Sequence, residues 1–202
     1  MNQPLVTLRA ANPTFEDGLA CARYANEASE GFMQVMFGRR FETVIADAFL
    51  QPNHDTSYQN VTFAECDNTI VGMILAYTEA QHRLSSLEPQ RKAAGRLRLR
   101  LRIVEILLAP LMRLNDSIEA GDYYLQFIAV DRERRVGGVG SVLLDAFEAQ
   151  ARASGSTRLS LDVSTTNEVA RQFYMHRGWQ VESEWPNLWF MPSLSIRMTK
   201  ML

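Results

Sequence analysis

Cysteine and lysine are scarce in this sequence, and long apolar runs are absent. Cys21 and Cys66 are its only cysteines, too few for a disulfide framework or a zinc cluster, so we expect a reduced, cytoplasmic chain. The first residues carry neither the basic segment nor the apolar run of a signal peptide. Every apolar stretch falls short of the roughly 18 residues that cross a membrane, so we expect no membrane association.

The composition indicates a globular protein. The 202 residues are 47% hydrophobic and 22% charged, which is enough apolar material for one packed core, so we predict a single domain over 1–202. The formal net charge is -2, and an acidic balance argues against nucleic acid as a partner of the whole surface. Only Lys92 and Lys200 are lysines, so arginine supplies nearly all of the positive charge.

Hydrophobic periodicity predicts a mixed α/β chain. Strand-like runs at 61–66 and 69–78 flank Asp67-Asn68, which is typical of a hairpin. Thr14 is the expected N-cap of the first helix, and Gly38 is a point where the second can break. Further strands are expected at 6–9, 123–130, 159–163, 179–184 and 195–200, and helices at 15–28, 31–50, 137–153 and 168–176.

A glycine-rich turn at 137–140 lies between a predicted strand and a predicted helix. Glycines let backbone N–H groups approach a ligand, and a helix N-terminus attracts anions, so this turn is typical of a phosphate site. The three arginines of 132–135 can add contacts. A solvated turn without a ligand is the alternative. The dinucleotide fingerprint does not fit, because Leu143 replaces its last glycine, and the nucleoside-triphosphate loop lacks its lysine after Gly140.

Two motifs together resemble the GNAT superfamily of N-acetyltransferases. Arg135-x-x-Gly138-x-Gly140 is similar to the signature that binds the pyrophosphate of acyl-CoA, and 167–179 resembles the Asn-x-x-Ala-x-x-Phe/Leu-Tyr-x-x-x-Gly-Phe element. The resemblance is close over 123–179. It implies a central mixed, mostly antiparallel sheet with flanking helices, and acetyl-CoA as co-substrate with no metal.

By this resemblance, the strand at 125–130 holds the pantetheine arm and splays from its neighbour, while the glycine turn holds the pyrophosphate. Ser141 can equally be an ordinary helix-start serine, and Phe173 a core residue. The resemblance assigns these residues to acetyl-CoA: Phe127, Ile128, Ala129, Val130, Arg135, Val136, Gly137, Gly138, Val139, Gly140, Ser141, Asn167 and Phe173.

Tyr174 matches the usual general acid of the family. A phenol near the sulfur can protonate the departing thiolate, and the alternative is a core tyrosine on an amphipathic helix. Asn167 lies seven residues earlier, two turns away on the same face. It is the helix N-cap, a pantetheine contact, or both.

The general base is the least determined residue. Some family members carry a glutamate on the pantetheine strand, but two tyrosines and a glutamine occupy 123–126 here. We predict Glu79, at the end of the hairpin, as a base that acts directly or through water. His82 and Asp122 are weaker candidates, and a water chain or an amine that arrives neutral would need no such residue.

Residues 80–120 form an insertion that is too long for an ordinary connection between strands. Its apolar stripe predicts a helix, which Pro110 kinks or ends. The arginines of 96–102 are expected on a solvated face. We predict that the stripe either covers the acceptor as a lid or joins two copies as a homodimer. The stripe consists of Leu97, Leu101, Val104, Leu108 and Leu111.

Two aromatic regions indicate a partly apolar or bulky acceptor. Together with the resemblance, they predict an N-acetyltransferase that moves an acetyl group from acetyl-CoA to a primary amine of a small molecule or peptide. Attack would be direct, in a ternary complex, since neither cysteine falls in a motif. The alternative is a non-catalytic acyl-CoA sensor on the same fold. The aromatic regions are Phe32, Met33, Met36, Phe37 and Phe41, and Trp185, Leu188, Trp189 and Phe190.

Overall fold

The computed structural model describes residues 6–95, 103, 106, 118–131, 137–186 and 193–202. Its strands are β1 (Thr7–Ala10), β2 (Val61–Cys66), β3 (Thr69–Thr78), β4 (Asp122–Val130), β5 (Arg158–Ser164), β6 (Gln180–Trp185) and β7 (Ser195–Met201). Its α-helices are α1 (Phe15–Ala28), α2 (Phe32–Phe37), α3 (Phe41–Phe49), α4 (Glu79–Leu84), α5 (Glu88–Ala94), α6 (Val139–Ala153) and α7 (Glu168–His176).

The seven strands form one sheet in the order β1-β2-β3-β4-β5-β7-β6. β4 and β5 run parallel, and the other neighbouring strands are antiparallel. A parallel pair needs a crossover connection, which α6 supplies. The predicted α/β class, with a mixed, mostly antiparallel sheet and flanking helices, is therefore confirmed.

Each face of the sheet buries its own hydrophobic cluster. On one face, Leu144 and Phe147 of α6 pack with Leu161 of β5. On the other face, Tyr24 of α1 packs with Phe63 of β2. All five side chains are at most 2% exposed, and burying one such side chain contributes about 1.5–3 kcal/mol. These clusters hold the helices against the sheet and so position the loops at its edge.

α6 approaches the sheet closely at Gly72 of β3. A Cβ atom at Gly72 would lie 3.0 Å from the Ala129 carbonyl oxygen and 3.0 Å from Leu143 Cδ1. A larger residue would therefore push α6 away from the strands. Gly72 pairs with Val130, the last residue of β4, so this contact also holds the start of α6 beside the end of that strand.

The local signals predicted the hairpin and the first helix correctly. Asp67 and Asn68 have φ angles of 50° and 58°, as a two-residue hairpin turn requires. Thr14 Oγ1 accepts a hydrogen bond from the Asp17 N–H at 3.2 Å and so caps α1. The helix predicted at 31–50 is interrupted, because Gly38, with a φ of 70°, ends α2 and a 3₁₀ turn precedes α3.

The insertion after β3 begins with the two short helices α4 and α5. Thr78 and Gln81 form a capping box at the start of α4. Ile103 and Ile106 are helical and exposed, whereas the five residues of the predicted apolar stripe lie outside the described residues. The choice between a lid and a homodimer therefore stays a prediction. Within the described ranges, no helix is long and apolar enough to cross a membrane.

Candidate active site

The parallel strands β4 and β5 separate partway along their length. Their pairing starts at Asp122 and Arg158 and ends at Leu125 and Leu161. Beyond that point β4 pairs with β3, and β5 pairs with β7. The predicted splay is therefore present, and it opens a gap in the middle of the sheet.

A cleft of about 450 Å³ passes through this gap. One side of the gap is formed by 125–128 of β4 and the other by 161–164 of β5. Its walls continue to Asn167 and Tyr174 at one end, and to α1, α2 and α5 at the other. The volume lies in the range of small-molecule sites, which is about 300–1,000 Å³.

β4 carries a bulge at the gap. Leu75 pairs with Phe127 and Ala76 pairs with Leu125, so Gln126 is the extra residue. A bulge bends its strand and increases its twist, which helps β4 to turn away from β5. Phe127 and Ile128 line the cleft. Of the other two residues predicted on this strand, Ala129 packs on the α1 face of the sheet and Val130 packs on the α6 face.

The glycine turn lies at the end of the gap. Gly138 has a φ of 89° and immediately precedes α6, whose first residue, Val139, is buried. A Cβ atom at Gly140 would be 3.8 Å from Val130 Cγ2 and 4.0 Å from Phe173 Cζ, so the turn, the end of β4 and α7 meet there. Ser141 lies in the first turn of α6.

The turn is open in the way that an anion site requires. Space around Gly137 and Gly138 is free within 4 Å of an added Cβ, and no described side chain caps α6. The N-terminal N–H groups of this 15-residue helix carry partial positive charge. Arg135 and Val136 lie outside the described residues.

α7 brings Asn167 and Tyr174 to one end of the cleft. Asn167 Oδ1 accepts a hydrogen bond from the Ala170 N–H at 3.1 Å, so its predicted role as helix N-cap is confirmed. Tyr174 is 5% exposed, and burial raises the pKa of its phenol well above the ordinary value. The phenol therefore keeps its proton at neutral pH and can donate it. Phe173 packs against Tyr174, with ring centroids 5.6 Å apart.

The structure does not bring the predicted bases to the cleft. Glu79 lies outside the lining residues, and its carboxylate pairs with Arg83 at 2.8 Å. His82 Nδ1 contacts an Asp55 oxygen at 2.9 Å. Asp122 is buried beneath Arg158, which donates to its carboxylate at 2.6 Å. The assignment of Glu79 as the base therefore stays a prediction without a contact to support it.

Asp162 is a cleft residue that the sequence analysis missed. It follows Leu161, the last residue of β5 that pairs with β4, and it lines the gap. Arg197 donates to both carboxylate oxygens at 2.7 Å, and the Tyr124 hydroxyl donates to one of them at 3.0 Å. Burial and the Asp162 charge raise the pKa of Tyr124 well above its ordinary value. A lone acidic residue in an alternating strand gives no sequence signal for this cluster.

The other end of the cleft is mostly apolar, as the aromatic residues of the second predicted helix indicated. Leu87 and Gln90 of α5, together with Thr56, also line this wall, which no pattern in the sequence indicated. Phe41 packs in the same hydrophobic cluster as Met36 and Phe37 but is not a lining residue, and neither is Trp185. Leu188, Trp189 and Phe190 lie outside the described residues. The predicted residues that line the cleft are Phe32, Met33, Met36 and Phe37.

A mixed sheet with a cleft where its two parallel strands separate is the arrangement that the resemblance implied. The model of the acetyltransferase (GNAT) family matches residues 22–179, well over half of the chain. The chain therefore belongs to the GNAT acetyltransferase family, as the resemblance predicted.

Solved structures of low sequence identity share the fold. An N-acetyltransferase from Staphylococcus aureus Mu50 is 17% identical, with a TM-score of 0.64 and coverage of 96% of this chain and 100% of that one. PaiA N-acetyltransferase from Thermoplasma acidophilum, in complex with coenzyme A, is 15% identical, with a TM-score of 0.53 and coverage of 98% and 99%. The ribosomal-protein-S18-alanine N-acetyltransferase from Escherichia coli is 13% identical, with a TM-score of 0.54 and coverage of 98% and 94%. A comparison with curated proteins found no match.

Proposed function

We propose that this protein transfers the acetyl group of acetyl-CoA to a primary amine, by direct attack in a ternary complex. The observation that carries the proposal is the gap between β4 and β5, with the glycine turn at the end of β4 and the buried phenol of Tyr174 in the wall. The gap would hold the pantetheine arm, and the turn would hold the pyrophosphate.

The chemistry needs few catalytic groups, because a thioester is already activated and alignment supplies much of the rate. The amine nitrogen would form a bond to the thioester carbonyl carbon, after which the carbon–sulfur bond breaks. The sulfur would leave with the bonding electron pair and accept the phenol proton of Tyr174. The surplus proton of the amine would pass to water, and Tyr174 would regain its proton from solvent.

Cys21 supports direct transfer over an acyl-cysteine intermediate. Its side chain lies in the cleft wall, but it is fully buried, and burial raises the pKa of the thiol to about 12. The thiolate is the nucleophilic form of cysteine, so this thiol is poorly suited to attack a thioester at neutral pH.

The apolar end of the cleft, which α1, α2 and α5 form, would suit an acceptor amine with an apolar body. Among the described lining residues, the carboxylates are Glu30 and Asp162, and Arg197 already neutralises Asp162. Glu30 is exposed, so it can attract a cation at the entrance without being buried as an unpaired charge. A strongly polycationic acceptor would find few carboxylates in this cleft.

An acetylation screen over amine classes tests the proposal. Purified protein is incubated with acetyl-CoA and each amine, free CoA is measured, and mass spectrometry checks whether the product carries an added acetyl group. Amine-dependent CoA release with the acetylated product supports the proposal. If the protein binds acetyl-CoA in calorimetry but acetylates no amine, the sensor alternative is favoured instead.

A further inference from the structure

Glu30 occupies a backbone position that glycine usually takes. It follows Ser29, the residue that caps the C-terminal end of α1, and its φ angle is 52°. The Glu30 N–H donates to the Glu27 carbonyl oxygen at 3.2 Å, and the Gly31 N–H donates to the Asn26 carbonyl oxygen at 2.8 Å. These two hydrogen bonds form a Schellman motif, whose left-handed residue is usually glycine and sometimes asparagine. A glutamate here therefore has a backbone strain that glycine would avoid.

The charge of Glu30 is also unfavourable for the helix that precedes it. The C-terminal end of α1 has partial negative charge, and the last turn of α1 contains no basic residue. Among the residues that the structure describes, none forms a hydrogen bond or an ion pair with the Glu30 carboxylate. The backbone and the charge of Glu30 thus both oppose local stability, and exceptions of this kind are expected at functional sites.

The cleft reaches solvent at the turn between α1 and α2, and we call this edge its mouth. Glu30 lies there, because it lines the cleft and is exposed. The other carboxylate among the described lining residues belongs to Asp162, which Arg197 neutralises. No lysine, arginine or histidine is among those lining residues. The unpaired charge of the described cleft wall is therefore the negative charge of Glu30, and solvent can reach it.

An exposed carboxylate acts on an approaching cation before the two come into contact. Its field extends over about 10 Å at an ionic strength of about 0.1 M. A primary aliphatic amine is a cation at neutral pH, since its pKa is close to the value of about 10.4 for lysine. A negative charge at the mouth therefore raises the local concentration of ammonium ions beside the apolar wall, whereas an uncharged molecule of the same shape gains nothing.

We propose that Glu30 captures the acceptor as its ammonium ion at the mouth of the cleft, and so selects amines that have a positive charge in solution. The proposal rests on the proposed function, because it describes how the acceptor of that reaction enters. Glu30 acts before the chemical step. The captured ammonium ion then releases one proton to water, which leaves the nitrogen with a lone pair for attack on the thioester carbon.

Two amines and one uncharged analogue test the proposal. Benzylamine and hexylamine are cations at neutral pH, whereas benzyl alcohol has nearly the shape of benzylamine without its charge. For the wild type and Glu30→Gln, kcat and KM of both amines are measured with acetyl-CoA at low and at high salt. The dissociation constants of benzylamine and benzyl alcohol are measured by calorimetry with the CoA-saturated protein.

Glu30→Gln keeps the size of the side chain and removes its charge. At low salt, the variant should lower kcat/KM of both amines and the affinity for benzylamine by about two- to fivefold, the effect of one exposed charge pair. The value of kcat and the affinity for benzyl alcohol should not change. High salt should bring the wild type to the level of the variant, because it screens the charge.

Asp67→Asn is the matched control. Asp67 is also an exposed carboxylate on a left-handed residue, with a φ of 50°, but it lies in the hairpin turn outside the cleft lining. The control should keep the wild-type constants for both amines. The proposal is overturned if the wild type binds benzylamine no better than benzyl alcohol, if Glu30→Gln keeps the wild-type preference, or if both variants lose it equally.

Glu30→Gly tests whether the carboxylate is present for capture and not for the fold. Glycine relieves the left-handed strain, so this variant should raise the urea midpoint of unfolding. It should also lower kcat/KM of both amines as Glu30→Gln does. A lower urea midpoint than that of the wild type would show that Glu30 stabilises the turn, and this structural role would overturn the proposal.

The kinetic and calorimetric readouts separate this proposal from the proposed function. If no amine is acetylated but calorimetry shows a preference for benzylamine that Glu30→Gln removes, capture by Glu30 holds and the catalytic proposal fails. If both amines are acetylated with constants that neither Glu30→Gln nor salt changes, the catalytic proposal holds and the role of Glu30 is overturned.

Discussion

The phenol of Tyr174 is buried and holds its proton, which is the state that its proposed role as an acid requires. Its burial raises its pKa, so the protonated form dominates over the neutral pH range. The ring also packs between Phe173 and Trp179, at centroid distances of 5.6 and 5.7 Å. These contacts hold the ring in place, so Tyr174 also has a packing role.

Tyr174→Phe keeps the ring and removes only the hydroxyl. We predict that kcat falls by about 10²–10⁴-fold while the affinity for acetyl-CoA changes little, because the proton is needed only when the thiolate leaves. Single-turnover acetylation and calorimetry measure the two quantities. Tyr123→Phe is the control, since Tyr123 is also a buried tyrosine but lies outside the cleft lining. Equal activity of the two variants would leave Tyr174 as a packing residue.

His54 makes the stability of the fold depend on pH. Burial lowers its pKa in the folded state, so the unfolded chain binds this proton more readily. The contribution of the neutral His54 ring to stability is therefore complete above the ordinary pKa of about 6.5, and it is lost as the pH falls from there toward the lowered pKa. Each pKa unit by which folding lowers the His54 value costs the folded state about 1.4 kcal/mol at low pH.

His54→Gln should reduce this dependence, because glutamine does not titrate and can still donate to Ala48. We predict that the wild type loses more stability than the variant between pH 7.5 and pH 5, in urea unfolding at each pH. The comparison removes the contributions of other titrating groups. Parallel losses in both proteins would show that His54 does not carry the effect.

At the scale of elements, a substitution in the turn before α6 tests the binding of acetyl-CoA most directly. Gly138 combines a left-handed backbone with open space around it. Gly138→Val should cost about 1–3 kcal/mol of stability through backbone strain. It should also abolish acetyl-CoA binding, because a side chain would block the approach of the pyrophosphate to the backbone.

Gly155 offers a matched control just beyond the other end of α6. It has a φ of 77°, and an added Cβ would likewise meet nothing within 4 Å. Gly155→Val should carry similar strain but leave acetyl-CoA binding intact, as measured by calorimetry. If both variants lose binding alike, strain rather than blocked access explains the loss, and the phosphate assignment fails.

Elements whose signals are local in sequence could be predicted closely. The Asp67-Asn68 hairpin and the motif from Asn167 to Trp179 each depend on neighbouring residues, and the structure places them as expected. The cluster of Tyr124, Asp162 and Arg197 depends on three strands meeting, which no local pattern encodes. Gln90 reaches the cleft because α5 packs on α3, another contact between distant segments.

At the scale of the whole molecule, the splay divides the sheet into two parts, β1–β4 and β5–β7. Within the described sheet, four residue pairs of β4 and β5 join them. The ion pair of Asp122 with Arg158 lies at the first of these pairs, and the contact of Tyr124 with Asp162 spans the two strands near the last. The paired segment is thus reinforced by polar contacts at both ends, and the gap between the strands opens beyond it.

Arg158 is the central residue of this junction. It contacts Asp122 on β4 at 2.6 Å, Glu182 on β6 at 2.8 Å and Glu119 at 2.8 Å. The Asp122 side chain is completely buried. Arg158→Met would therefore leave a buried carboxylate without its cation, and we predict a loss of about 3–5 kcal/mol in the free energy of unfolding.

Arg152→Met provides the comparison, because Arg152 is 57% exposed and its contact with Glu148 is 3.8 Å long. An exposed pair contributes about 0–1 kcal/mol, so this variant should unfold at nearly the wild-type urea concentration. A second measurement, Arg158→Met combined with Asp122→Asn, should recover part of the loss, since the unpaired charge is then removed. If the double variant is no more stable than Arg158→Met, the cost arises from lost packing of the arginine side chain instead of from the buried charge between the two parts of the sheet.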